Sequence, residues 1–432
     1  MDTRNNPKVE LVAINSLTPN PRNARTHSDK QVAQIAASIE RFGWLVPIIV
    51  DEVDMIAAGH GRWLAAMTMC LREVPIIRAS FLTDEDRRAF ALAENRIAQL
   101  SGWDESILTE ELTILFEGGY ELEITGFSVA DLDISVPVVA PLEAEDIPEP
   151  EGNTVSRVGD MWLVGDHKLY CGDARAVESW ETLLGDDRAA LVFGDLPYNV
   201  PIDGHVSGNG RNRHREFVMG AGEMSPPEFT AFMRSIFRNC VRFSIDGSIH
   251  YQCMDWRHAR EILDAADGVY STFKQLIVWV KDNGGQGAFY RSRHELVFVF
   301  KSGAAKHQNH FGLGETGRYR TNVVEYAGAN TFRKGRDQDL ASHSTVKPTP
   351  MVVDFLLDCS RRGDIVMDPC AGSGTLLLAA HHSKRRGRAI ELDPGYVDVA
   401  LTRLAAVMGV EPILAGDGRS FVEIAAARGA EG

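Results

Sequence analysis

A carboxylate, a proline carbonyl and an aromatic ring stand together at Asp195-Leu196-Pro197-Tyr198. A second cluster, Asp368-Pro369-Cys370-Ala371-Gly372-Ser373-Gly374-Thr375, lies far behind it. The first offers hydrogen-bond acceptors beside a flat apolar face. The second offers backbone: Gly372 and Gly374 permit a tight turn and close approach to a ligand, and small Ala371 and Ser373 keep that turn narrow. Each cluster follows an apolar run, Ala189-Ala190-Leu191-Val192-Phe193 and Asp364-Ile365-Val366-Met367. Short apolar runs ending in Pro or Gly read as buried parallel strands feeding functional loops. Ligands of open α/β sheets sit at the carboxyl ends of such strands, so both ends are expected to line one site. Glu391 closes the next strand, Gly387-Arg388-Ala389-Ile390, about twenty residues on, where an acid typically holds ribose hydroxyls. It also reads as a helix N-terminal acid before Pro394. Gly372-Ser373-Gly374-Thr375-Leu376-Leu377 lacks the third glycine of a dinucleotide fingerprint. Taken alone, Asp195 to Tyr198 is also an ordinary turn.

The elements that must hold these residues follow from the rest of the chain. Its 432 residues suggest two or three domains, and 44% hydrophobic with 24% charged residues describes a soluble globular protein. No stretch approaches a membrane span, and Met1-Asp2-Thr3-Arg4-Asn5-Asn6 lacks the apolar core of a signal peptide, so no membrane partner and a cytoplasmic location are expected. Six scattered cysteines without a Cys-x-x-Cys pair argue against a zinc site, and no metal is expected. The formal charge of −15 counts against nucleic-acid binding on its own. Local fields decide phosphate contacts, however, and acid gathers at Glu143, Glu145, Asp146, Glu149 and Glu151 while base gathers at Arg318, Arg320, Arg333, Lys334 and Arg336.

Residues 7–135 read as a small α+β domain, with strands around residues 45–50 and 74–77 and amphipathic helices over 31–42 and 84–100. Residues 136–156 are rich in Pro and Glu and read as an extended linker. From 157 to 432, a short hairpin leads into alternating strands and helices, the pattern of a mostly parallel α/β sheet. Residues 302–342 are polar, rich in Gly and Arg, and too long for an ordinary connection.

The two clusters together resemble the amino-methyltransferases of DNA, over roughly residues 157–420. In that family the tetrad is Asp, Asn or Ser, then Pro-Pro and an aromatic, and a small-residue Gly-x-Gly turn binds S-adenosyl-L-methionine. Here the tetrad comes first, the order of the permuted beta class. Leu196 stands where the family usually has Pro, at a position whose groups do not touch the base. The resemblance implies a Rossmann-like S-adenosylmethionine-dependent fold acting on double-stranded DNA. It implies that Asp195 and the Pro197 carbonyl accept hydrogen bonds from the exocyclic amine of a flipped base while Tyr198 stacks on the ring. It implies cofactor contacts from Asp368, Pro369, Ala371, Gly372, Ser373, Gly374, Thr375 and Glu391. His343-Ser344-Thr345-Val346-Lys347-Pro348 is similar to a family stretch that packs on the methionine part of the cofactor, which adds Lys347 and Pro348. Asp173 is similar to a cofactor-adenine contact and equally reads as a helix cap. Trp279-Val280-Lys281 and the strand from His294 to Lys301 resemble walls of the base pocket. Residues 302–342 fall where the beta class inserts target recognition, so Arg318, Arg320, Arg333 and Arg336 are expected on DNA or on a solvated loop.

The first domain resembles the ParB-like nuclease-fold domain through Gly59-His60-Gly61-Arg62-Trp63-Leu64-Ala65-Ala66 and Ala93-Glu94-Asn95-Arg96. Such boxes bind nucleotide phosphates in relatives, so a nucleotide is a second expected ligand. A homodimer stays open. Adenine N6 is the favoured target because Asp with Tyr in the tetrad resembles adenine enzymes more often. Cytosine N4 is the alternative, and a regulatory adaptor with a decayed methyltransferase domain is a rival that Leu196 would support.

Overall fold

The computed structural model describes residues 8–80, 83–127, 154–200, 220, 222–282, 289–311, 320–326 and 347–429. The chain divides into two compact units, Met1–Ser135 and Val136–Gly432.

In the first unit, strands β1 (Val9–Ala13), β2 (Ile48–Val50), β3 (Ile56–Ala58) and β4 (Glu73–Arg78) form one sheet in the order β1-β4-β2-β3. β2 starts just after Pro47, which has no amide hydrogen to give a ladder. Four helices surround the sheet: Asp29–Phe42, His60–Thr68, Asp84–Ala98 and Glu105–Glu117. Ser28 and Thr83 begin the first and third of these, each side chain accepting from a backbone N–H three residues on. Ile48, Val50, Ile56, Val74 and Ile76 fill the core with Ile14, Leu17 and Ala66.

The second unit carries ten strands: β5 (Met161–Val164), β6 (His167–Cys171), β7 (Ala189–Gly194), β8 (Ser244–Met254), β9 (Thr272–Val280), β10 (His294–Lys301), β11 (Val323–Glu325), β12 (Ile365–Asp368), β13 (Arg386–Glu391) and β14 (Ile413–Leu414). Their order is β11-β9-β10-β8-β7-β12-β13-β6-β5-β14. The centre, β8-β7-β12-β13-β6, is parallel. From β7 the chain moves to β8 on one side, and from β12 to β13 on the other. A crevice opens at the carboxyl ends where strand order diverges in this way, here between β7 and β12.

Side chains alternate across the sheet. Val192, Phe298, Phe300 and Met367 pack on one face with helices Val177–Leu184, Pro226–Arg242 and Ala259–Ala266. Leu191, Phe193, Val297 and Val299 pack on the other with helices Thr349–Cys359 and Thr375–His382. Helix Pro394–Met408 closes the β5–β6 end over Trp162, Val164 and Leu169. Each large apolar side chain buried this way is worth about 1.5–3 kcal/mol. These two layers of helices hold the loops after β7 and β12 side by side. Among the described residues no helix is long and apolar enough to cross a membrane.

Candidate active site

Asp195 follows the last residue of β7 directly, and Lys347 precedes helix Thr349–Cys359. Two further charged residues reach the same rim because of strand direction. β10 runs antiparallel between β8 and β9, with Leu296 opposite Met254 and His294 opposite Val280. The start of β10 and the end of β9 therefore lie at the carboxyl edge of β7, and they bring Glu295 and Lys281. The Lys347 ammonium lies 2.8 and 2.9 Å from the two oxygens of Asp195 and 3.1 Å from Oε2 of Glu295. Lys281 Nζ takes the other Glu295 oxygen, Oε1. The Tyr198 hydroxyl donates at 3.0 Å to Asp195 and also lies 3.2 Å from Glu295 Oε2. Lys347 sits 5.1 Å from the centre of the Tyr198 ring.

Two carboxylates and two ammonium groups thus balance in a mostly water-excluded site. Side-chain exposure falls from 26% at Asp195 through 14% at Glu295 to 4% at Lys347. Burial raises the Asp195 pKa above the ordinary aspartate value, Glu295 adds to the rise, and Lys347 opposes it. Glu295 is desolvated too, but Lys347 and Lys281 overcome that and bring it down to about 2. Burial works against the Lys347 ammonium, and Asp195 and Glu295 more than restore it, so its pKa is raised. Burial pushes the Tyr198 phenol well above its usual value.

The turn after Asp195 is fixed by side chains. Leu196 points into the core at 2% exposure, away from the polar cluster. Asn199 adopts φ +53° and is held by hydrogen bonds to the backbone of Gly222 and Met224. Gly220 lies so close to Pro197 that a β-carbon there would sit 2.5 Å from Pro197 Cβ.

The loop after β12 turns on two left-handed glycines, Gly372 (φ +51°) and Gly374 (φ +84°). A β-carbon on Gly374 would stand 2.9 Å from Ala400 Cβ. Arg403 fastens the turn by donating to the Ser373 carbonyl and hydroxyl at 2.6 and 2.9 Å. Thr375 opens the following helix, Pro369 and Ala371 lie within the turn, and Pro348 caps helix Thr349–Cys359. The amide of Cys370 donates to Asp368 at 2.9 Å, and burial pushes the Asp368 carboxyl well up. Burial likewise raises the Cys370 thiol, which disfavours its thiolate. Glu391 accepts from the amides of Gly372 at 2.8 Å and Asp393 at 2.9 Å. The carboxylate thereby braces the glycine turn against the start of the next helix, and burial raises its pKa against these backbone donors.

Several expected residues are engaged by other side chains. The Lys347 ammonium, expected against the methionine part of the cofactor, contacts Asp195 and Glu295. Asp173 binds the Arg175 guanidinium and backbone amide and acts as a local turn cap. Arg320 is ion-paired to Asp354 at 2.7 Å and Asp358 at 3.1 Å, which ties it to helix Thr349–Cys359 and not to a free DNA-facing surface. Arg318, Arg333 and Arg336 lie outside the described residues. In the sequence, Glu295 and Lys281 stand out only as members of strands that resemble pocket walls. A charged residue at each end of two apolar runs was the signal available.

In the first unit a cavity of about 390 Å³ is lined by Arg25, His27, Gly59, His60, Arg62 and Glu94 among others. The two sequence boxes of that domain therefore face one space. Gly59 has φ +100°, and a β-carbon there would lie 3.1 Å from the Arg62 guanidinium. Arg62 Nε is buried without a hydrogen-bond partner. Burial depresses the Arg62 pKa, and Glu94 opposes that.

A DNA methylase family model matches residues 189–402, and a ParB N-terminal domain model matches residues 1–96. The chain is 25% identical over 257 residues to the type II methyltransferase M.HpaI of Haemophilus parainfluenzae, which covers 55% of this chain and 74% of that one. It is 46% identical over 81 residues to the ParB-like nuclease domain-containing protein YnaK of Escherichia coli, covering 19% of this chain and 93% of that one. Solved structures it resembles include the M1.HpyAVI–SAM complex, at TM-score 0.40 and 18% identity, covering 55% of this chain and 98% of that one. Another is the cytosine-N4-specific PvuII DNA methyltransferase, at TM-score 0.43 and 14% identity, covering 56% and 87%. The chain belongs to the DNA methyltransferases of the N6-adenine/N4-cytosine family. It carries a ParB N-terminal domain ahead of the catalytic domain.

Proposed function

We propose that the catalytic unit, of the permuted beta class, transfers a methyl group from S-adenosyl-L-methionine to the exocyclic amine of a base extruded from double-stranded DNA. Adenine N6 is the first choice and cytosine N4 the second. One observation carries this reading: Asp195 and the Gly372–Gly374 turn end the adjacent strands β7 and β12, on either side of the sheet's point of divergence. The site suits the cofactor. Gly372 keeps the turn partly accessible, and the Glu391 carboxylate beside it is the group suited to ribose hydroxyls. When bound, S-adenosyl-L-methionine supplies an electrophilic methyl group on a sulfonium. The amine is a weak nucleophile because its lone pair is shared with the ring. Asp195 and the Pro197 carbonyl accept its two N–H donors and hold it in line. As nitrogen gains positive character those contacts strengthen, while Tyr198 supports the ring. Leu196 lies in the core, so its departure from Pro leaves this constellation intact and gives no support to a decayed domain.

The decisive experiment digests DNA after reaction and measures N6-methyladenine and N4-methylcytosine by mass spectrometry. Methylcytosine alone would overturn the adenine assignment. Neither product, with the protein folded and cofactor bound, would favour the adaptor.

The first unit fits a nucleotide phosphate in its cavity, where the Arg62 guanidinium has an unused donor beside the glycine-opened start of helix His60–Thr68. Calorimetry with nucleoside triphosphates checks this: Arg62→Ala should abolish binding that the whole chain displays.

A further inference from the structure

Lys347 occupies the place the target base needs. Its ammonium contacts both Asp195 oxygens and lies over the Tyr198 ring. An incoming amine requires one of those oxygens, and its ring requires that face. A buried ammonium cannot simply be displaced, because removing one partner of a buried pair leaves an uncompensated charge. Glu295 offers the alternative partner. Its Oε1 is taken by Lys281, and Lys281 is itself steadied 4.7 Å from the Trp279 ring centre. Its Oε2 faces Lys347 at 3.1 Å. The lysine stem is flexible enough to shift from one carboxylate to the other, and the net charge of the cluster does not change when it does.

We infer that Glu295 is a positioning residue for methyl transfer, taking Lys347 from Asp195 when the target amine arrives and so freeing the acceptor. This rests on the reading of Asp195 as the amine acceptor, and the two can fail separately. The groups facing Asp195 are Lys347, Glu295 and Tyr198, with Asp368 from the glycine loop; Cys253 of β8 borders the same cluster.

The test uses the whole chain with duplex DNA and labelled cofactor, comparing E295Q, E295D, K347M, E295Q/K347M and D195A. Melting temperature and cofactor affinity are measured alongside. E295Q should bind cofactor normally and lose roughly tenfold or more in kcat, because Lys347 then rests wholly on Asp195. The acid limb of its pH–rate profile should move to lower pH, since Lys347 still lowers the Asp195 pKa and the Glu295 charge no longer raises it. E295D should recover part of the rate. E295Q/K347M should exceed E295Q, because no ammonium remains to block the acceptor. E295Q with wild-type kcat and acid limb overturns the inference, and so does a double variant no faster than E295Q. If E295Q does not fold, K347M decides: its acid limb should move up, and an unmoved limb is fatal. Wild-type turnover by D195A would instead sink the acceptor reading itself.

Discussion

Asp195 accepts hydrogen bonds most strongly while ionised, and burial makes ionisation harder. The acid limb of kcat/KM should therefore lie above the ordinary aspartate value of 3.8. A limb at or below that value would show that another group governs the rate. Asp195→Asn should lose roughly 10²–10⁴-fold in turnover while cofactor affinity measured by calorimetry stays near wild type. Glu391 is a different case, because it braces the glycine turn through the Gly372 amide. Glu391→Ala should weaken cofactor binding by about 1–3 kcal/mol, and unchanged affinity in a folded variant would remove it from the site. Glu295 contributes to stability with the opposite pH sign from a raised acid. Its carboxyl is depressed from 4.5 to about 2, so the contribution is present above its unfolded value and fades as pH falls through that lower range.

At the scale of elements, strand and turn chemistry was largely readable and charge placement was not. The apolar runs before Asp195 and Asp368 became β7 and β12, and Gly372 and Gly374 took the left-handed angles that their types suggest. Helix Thr349–Cys359 starts right after Pro348 and carries Pro350 in its first turn, where a proline costs no helical hydrogen bond. Lys281 and Glu295 stand fourteen residues apart on the consecutive strands β9 and β10, while Asp195 and Lys347 come from distant segments, and the antiparallel placing of β10 between β8 and β9 brings the first pair to their rim. No local spacing encodes that register. Gly374→Ala should cost about 1–3 kcal/mol, since it forces a β-carbon onto Ala400 at a positive φ; a calorimetric melt and cofactor titration would register both losses. Arg320 was expected on DNA or on a solvated loop, and it forms ion pairs with Asp354 and Asp358 of helix Thr349–Cys359. Arg320→Ala should lower the melting temperature while methylome sequencing finds the same sites. Altered sites with unchanged melting would return Arg320 to the DNA.

For the molecule as a whole, an acidic chain must meet a polyanion. Binding must then rely on a few locally placed cations, and its salt dependence should be shallow compared with that of a basic protein. The slope of log K against log salt counts the phosphates neutralised, at about 0.9 per contact. Alanine at Arg318, Arg333 or Arg336 should reduce that slope if the residue meets phosphate, or change site choice if it meets a base; no change in either would move recognition out of residues 302–342. The sheet carries one more consequence. β6 and β7 are not neighbours: β12 and β13 lie between them, and both come from the last part of the chain. During synthesis every earlier strand emerges before the two that close the gap. A nascent or prematurely terminated chain ending before Ile365 would present two unpaired strand edges and no glycine turn. Such a product would be unable to methylate DNA and prone to edge-to-edge association, so the host would face a problem of quality control and not one of stray methylation.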